Sequence, residues 1–196
     1  MRSAGFAAPH PDHTMTKNPI SPPLQRYSQA QRSAHWWTAA LMVLAYATIE
    51  AHGFLQRGSF ARLTVVQLHY WLGIAVLLIT LPRVARRLRE GAPPIEPPPG
   101  AAARLAATAM HLALFIFLVV QPLLGIAVRL VSGQGIGVPF TKLAIPSIMA
   151  DRTLSKAIEG VHEQIGTVFY AVIGLHIAAA LWHWLRGRDN VMQRML

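Results

Sequence analysis

The chain contains no cysteine. That absence excludes disulfides, thiolate zinc sites, Cys-ligated iron–sulfur clusters and c-type haem attachment. Charge is also scarce, at 13% of residues, about half of the roughly 25% usual in a soluble domain. Acidic residues are the fewest: 8 Asp+Glu stand against 18 Lys+Arg, for a net charge of +10. In a soluble chain that balance suggests nucleic acid. Here the cations sit between apolar blocks, where they set membrane orientation, so no nucleic-acid partner is expected. Apolar residues make up 53% of the 196 and are clumped, and the length suits one domain. For metal-ligand chemistry, nine histidines remain.

A membrane span needs about 20 mostly apolar residues. Four blocks meet that need: Ala34–Ala51 (extended at its start by Ser28–Ser33), Leu63–Leu81, Leu105–Val131 and Ile158–Leu185. The expected fold class is an all-α membrane protein, a bundle of four transmembrane helices. Pro122 predicts a kink in the third span. Residues 1–25 are polar and Pro-rich, lack the apolar core of a signal peptide, and read as a disordered tail ahead of a membrane domain over 26–196. Gly91–Gly100 is a stiff Pro-rich linker. Ser132–Lys156 is the longest connection and shows no clear helical period.

Lys and Arg divide unequally between the two sides. The tail, the linker and the C-terminal end hold 12, and the two other connections hold 6. Both termini are therefore expected to be cytoplasmic. The run Arg83, Arg86, Arg87, Arg89 fits anionic lipid headgroups or orientation alone.

Ionisable side chains within a membrane are costly and usually functional. His35, His69, His111, His162, His176 and His183 fall within or at the ends of spans. His162 and His176 are 14 residues apart, which puts them within about 40° of one helix face and about 21 Å apart along it. One metal ion cannot reach both, whereas two stacked haems with one imidazole each suit the spacing. His69 and His162 each lie near a periplasmic span start and can meet. His35, about 9 Å into span one, matches the depth of His176, about 14 Å in. His111 lies on the same side, and spacing alone does not choose between His35 and His111. Bis-His ligation fills both axial positions and suits electron transfer. His183, with Trp182 and Trp184, lies just beyond, where its N–H could meet a quinone carbonyl. His10, His13 and His52 read as incidental.

The residues resemble the bacterial cytochrome b561 family, related to the cytochrome b subunits of nickel–iron hydrogenases. The resemblance is carried by Arg26-Tyr27-Ser28, by Ser33-Ala34-His35-Trp36-Trp37, by Glu50, Gly53, Phe54 and Arg57 in an E-x-x-G-F-x-x-R stretch, and by His69. It continues through the PPIEPPP linker, His162-Glu163, Tyr170, the Val172-Ile173-Gly174-Leu175-His176 run and His183. It covers about residues 26–196. It implies a four-helix bundle in the bacterial inner membrane with two b-type haems, held by His35 with His176 and by His69 with His162.

The resemblance also implies electron exchange with ubiquinone, and in some members superoxide as the electron donor. At the periplasmic end Arg57, Lys142, Arg152 and Lys156, with Arg62, would offer a field that steers an anion, unless they merely solvate the loops. Glu50 would form an interfacial ion pair with Arg57 or relay a proton. A second expectation is a membrane anchor that relays electrons from a dehydrogenase or hydrogenase partner to quinone, with Ser132–Lys156 as its docking surface. A third is a haem-free transporter or structural bundle.

Overall fold

The computed structural model describes residues 25–196. All but the last residue of the expected tail therefore lies outside the described residues. Four helices account for most of the rest: α1 (Gln29–Phe54), α2 (Phe60–Glu90), α3 (Ala101–Val131) and α4 (Arg152–Arg186). Each is longer than its apolar block because its capping residues lie outside that block. Ser28 accepts from Gln31 N, Ser59 from Arg62 N, and Asp151 from both Thr153 N and Leu154 N, which satisfies amide donors left free in a first turn. Gly187 closes α4 at φ +57°, a left-handed conformation in which a Cβ is strained. α3 runs as one helix through Pro122, and α2 through Pro82.

By length and composition, α2, α3 and α4 can cross a membrane. α1 is about 39 Å long at 1.5 Å per residue, but its His, Trp, Thr and Glu side chains leave it outside that set. The side chains facing outward are apolar. Val43, Leu78, Val168 and Leu175 are each more than half exposed, as lipid-facing residues are. The interior is thin, with Val76, Thr80, Phe117 and Ile136 nearly fully enclosed. Phe117 lies flat on Phe169, with ring centres 3.9 Å apart and planes 8° apart.

Consecutive helices are neighbours in space, the short α1–α2 turn requiring it most directly. α1 packs on α2, α2 on α3, and α3 on α4. Among the described residues, no Cα of α4 comes within 8 Å of a Cα in α1 or α2. α4 instead reaches α1 through side chains. Tyr46 donates to the Gly166 carbonyl at 2.8 Å, and Tyr170 donates to Glu50 at 2.6 Å. Glu50 is thus spoken for by Tyr170. The expected pair with Arg57 does not form, because α4 offers a nearer donor.

The two ends of the bundle differ. At the loop end, the stretch without helical period holds a small antiparallel ribbon, β1 (Ile136–Gly137) and β2 (Ala144–Ile145), with Ile136 opposite Ile145. Strands of two residues leave no period to read. Trp71 fastens the ribbon by donating to the Gly137 carbonyl at 2.8 Å. At the terminus end, Asn190 clips the proline linker, accepting from Glu96 N at 2.9 Å and donating to Pro94 O at 3.3 Å. Gln31 donates to Glu90 at 2.6 Å, and Arg32 donates to the Leu196 carbonyl.

Candidate functional site

The gap between α4 and the α1–α2 pair is where the histidines meet. His69 stands nine residues from the start of α2 and His162 ten from the start of α4, at matching depths of about 14–15 Å from the loop end. Their ring centres are 6.2 Å apart with planes at 90°. Toward the terminus end, His176 faces two imidazoles, His35 at 6.5 Å and His111 at 5.8 Å.

These separations suit a metal held between rings. Two imidazoles bonded to one metal from opposite sides, at about 2.0 Å per bond and about 1.1 Å from nitrogen to ring centre, put their centres about 6.2 Å apart. Hydrogen bonds settle which nitrogen is free, since a carbonyl oxygen can only accept. His69 Nδ1–H donates to Ala45 O at 2.9 Å, and His162 Nδ1–H donates to Gln121 O at 3.1 Å. Both rings therefore offer Nε2, fixed in tautomer by the usual outer partner of a ligating histidine. His111 Nδ1–H donates to Ala107 O of its own helix at 2.6 Å. His35 differs: Arg83, which can only donate, contacts its Nδ1 at 3.3 Å.

The loop-end pair also flanks a small cavity, with room for about one water. His69, Tyr70, Gly73, Pro122, Gly125 and His162 line a cavity of about 30 Å³. A Cβ on Gly125 would stand 3.3 Å from His162 Cε1, so glycine keeps that wall thin. The donor set and the spacing fit a bis-imidazole haem. Sequence reasoning passed over Gly73 and Gly125, though small residues within otherwise bulky apolar runs were the available signal.

The remaining expected site residues are placed less uniformly. His183 Nδ1 donates to Asp189 at 2.6 Å, a partner hidden from sequence because it lies past the helix end. Trp182 and Trp184 are 55% and 52% exposed, and the Arg186 guanidinium sits 4.1 Å from the Trp182 ring centre. A roomier cleft of about 540 Å³ opens at the same end, lined by Arg32, Trp36, Trp37 and Met195. Arg57, Lys142, Arg152 and Lys156 are all exposed at the loop end. Among the described residues none of them has a carboxylate within 4 Å. Arg62 belongs apart from them, since it donates to His52 O and Leu55 O and so staples the α1–α2 turn.

Comparison with known proteins gives the family. The family described as prokaryotic cytochrome b561 matches residues 26–196. Cytochrome b561 homolog 1 of Escherichia coli (strain K12) is 32% identical over 173 residues, which is 88% of this chain and 98% of the relative. A probable superoxide oxidase CybB of Yersinia pestis is 29% identical over 172 residues, 88% of this chain and 96% of the relative. With its membrane-length apolar helices and its facing histidines, the chain belongs to the prokaryotic cytochrome b561 family, the membrane b-type cytochromes.

Proposed function

We propose that the chain is a four-span cytochrome of the bacterial inner membrane, with both termini cytoplasmic and two b-type haems. On this reading it passes electrons from a periplasmic donor at the loop end to ubiquinone at the terminus end. The observation that carries the reading is the His69–His162 pair, 6.2 Å apart with both Nδ1 atoms tied to carbonyls. When bound, haem supplies one-electron chemistry at each pair.

The protein's own groups do the rest. His69 with His162, and His35 with His176, hold the cofactors from facing helices. His35 is preferred over His111 because α3 packs backbone to backbone on α4, while α1 stands off from it. Phe169, midway in sequence between His162 and His176 and stacked on Phe117, would pack between the two haems. The exposed Arg57, Lys142, Arg152 and Lys156 draw an anion to the loop end. Superoxide fits that field, and the similar protein of Yersinia pestis, a probable superoxide oxidase, supports it. Two superoxide ions would each give up one electron and leave as dioxygen. The two electrons and two protons convert quinone to quinol. At the terminus end, His183, oriented by Asp189 between Trp182 and Trp184, is the group to donate to a quinone carbonyl, and the Trp36–Trp37 cleft is the neighbouring space.

A reduced-minus-oxidised spectrum of the purified, haem-supplied protein tests the cofactor. A b-type band near about 560 nm is expected for bis-His haem, and its absence would reject both redox readings. Superoxide-driven reduction of ubiquinone tests the donor, and no turnover by loaded protein would reject superoxide. The second reading, a relay subunit of a dehydrogenase or hydrogenase, draws on the exposed Phe140, Leu143 and Ile148 of the loop-end connection. Co-purification of an iron–sulfur subunit would favour it.

A further inference from the structure

Three arginines crowd the His35–His111–His176 cluster on its terminus side. Arg83 touches His35 Nδ1 at 3.3 Å and donates to Thr38 Oγ1 at 2.9 Å. Arg87 lies one turn further along α2. Arg194 arrives from the C-terminal segment, and the Tyr27 ring stands between the two, 6.0 Å from the Arg87 guanidinium carbon and 5.4 Å from that of Arg194. Arg194 is only 6% exposed. Its Nε and one terminal nitrogen of Arg87 are buried without a hydrogen-bond partner.

Among the described residues, none of the three has a carboxylate within 4 Å. Glu90, at the end of the same helix, is taken by Gln31. Arg194 is buried and Arg83 and Arg87 are half-buried; cations so placed without counter-charge are costly, and buried donors without acceptors add to the cost. Membrane orientation does not explain them. It accounts for Arg86 and Arg89 of the same run, which are exposed, because that rule concerns cations in water or headgroups. Among the described residues, the arginine lining the loop-end cavity is one with partners. Arg129, over Tyr70, is already used by Gly135 O and Gln134.

Resting on the haem reading above, we infer that Arg83, Arg87 and Arg194 form a carboxylate clamp that holds the two propionates of the terminus-end haem. The planar guanidinium fork matches a carboxylate. A carboxylate is also a stronger acceptor than an imidazole nitrogen, so Arg83 engaged there releases His35 Nδ1. Three cations against two carboxylates leave a positive excess, which favours the reduced iron and sets the two haems at different potentials.

Redox titration of Arg87→Gln and Arg194→Gln tests this in the full-length, haem-loaded protein. One midpoint should fall by about tenfold in the reduced-to-oxidised ratio, 59 mV for one electron, while the other stays in place. Wild-type apoprotein refilled with haem or with haem dimethyl ester gives a second measure that needs no variant. One site should prefer the free acid, and the Arg variants should lose that preference. Unmoved midpoints, or equal uptake of acid and ester, would overturn the clamp. Loss of co-purified phospholipid from variants with unmoved midpoints would assign the arginines to lipid phosphate instead. Wild-type protein that takes up no haem would overturn the underlying reading, a result separable from the others.

Discussion

The Tyr170 hydroxyl donates a 2.6 Å hydrogen bond to Glu50, joining α4 to α1 at a point where no backbone contact does. Beside it the Tyr46 ring lies 4.4 Å from that of Tyr170, and Tyr46 in turn holds the Gly166 carbonyl. The pair acts as a strut across the open side of the bundle. Hydrogen bonds to charged groups contribute about 1.5–3 kcal/mol, less where both partners are exposed. Denaturation of Glu50→Gln, Tyr170→Phe and the double variant should show a coupling of about 1 kcal/mol. Glu50→Gln combined with Arg57→Gln should be additive within about 0.5 kcal/mol. Coupling in the second cycle instead of the first would restore the Glu50–Arg57 pair.

Ligand assignment can be read by counting haem. His176→Ala should remove one haem and leave the His69–His162 site loaded, and His162→Ala should do the reverse. Between the two candidates opposite His176, His35→Ala should empty the terminus-end site and His111→Ala should spare it. A protein that keeps both haems without His35 and loses one without His111 would reverse the choice. Haem-to-protein ratio by pyridine haemochrome, with the spectrum of what remains, decides.

Gly125 gives a subtler handle on the loop-end site. A Cβ there already stands 3.3 Å from the His162 ring, so Gly125→Ala needs a shift of a few tenths of an ångström in that ring. Gly125→Val needs more room than the wall allows, and overpacking typically costs about 1–3 kcal/mol. The valine variant should lose or distort the loop-end haem while the His176 site stays occupied. Full loading of both sites would show that the glycine wall does not bound the cofactor.

The exposed cations of the loop end carry an ionic-strength signature. Reversing Lys142 and Arg152 to Glu should slow superoxide-driven reduction by about tenfold or more at low salt. The difference should shrink as salt screens the field, over a Debye length of about 8 Å at physiological strength. Haem content should not change. A salt-independent loss would point to a local contact in place of steering.

Sequence alone determined the helical membrane architecture, because about 20 consecutive apolar residues can satisfy their backbone in lipid only as a helix. It determined the two histidine levels as well, since helical rise converts the spacing of His162 and His176 directly into depth. Depth says nothing about azimuth, so helical rise alone leaves His35 and His111 equivalent, the resemblance favours His35, and the structure sets both rings beside His176. Contacts that cross helices or pass a helix end follow no period. Tyr170 on Glu50, Asp189 on His183, and Gly125 beneath His162 therefore emerged only from tertiary structure. The arginines show both halves of this. Their number was legible in the chain, but which of them are exposed and which are half-buried or buried toward the histidines was decided by how α2 and the C-terminal segment pack.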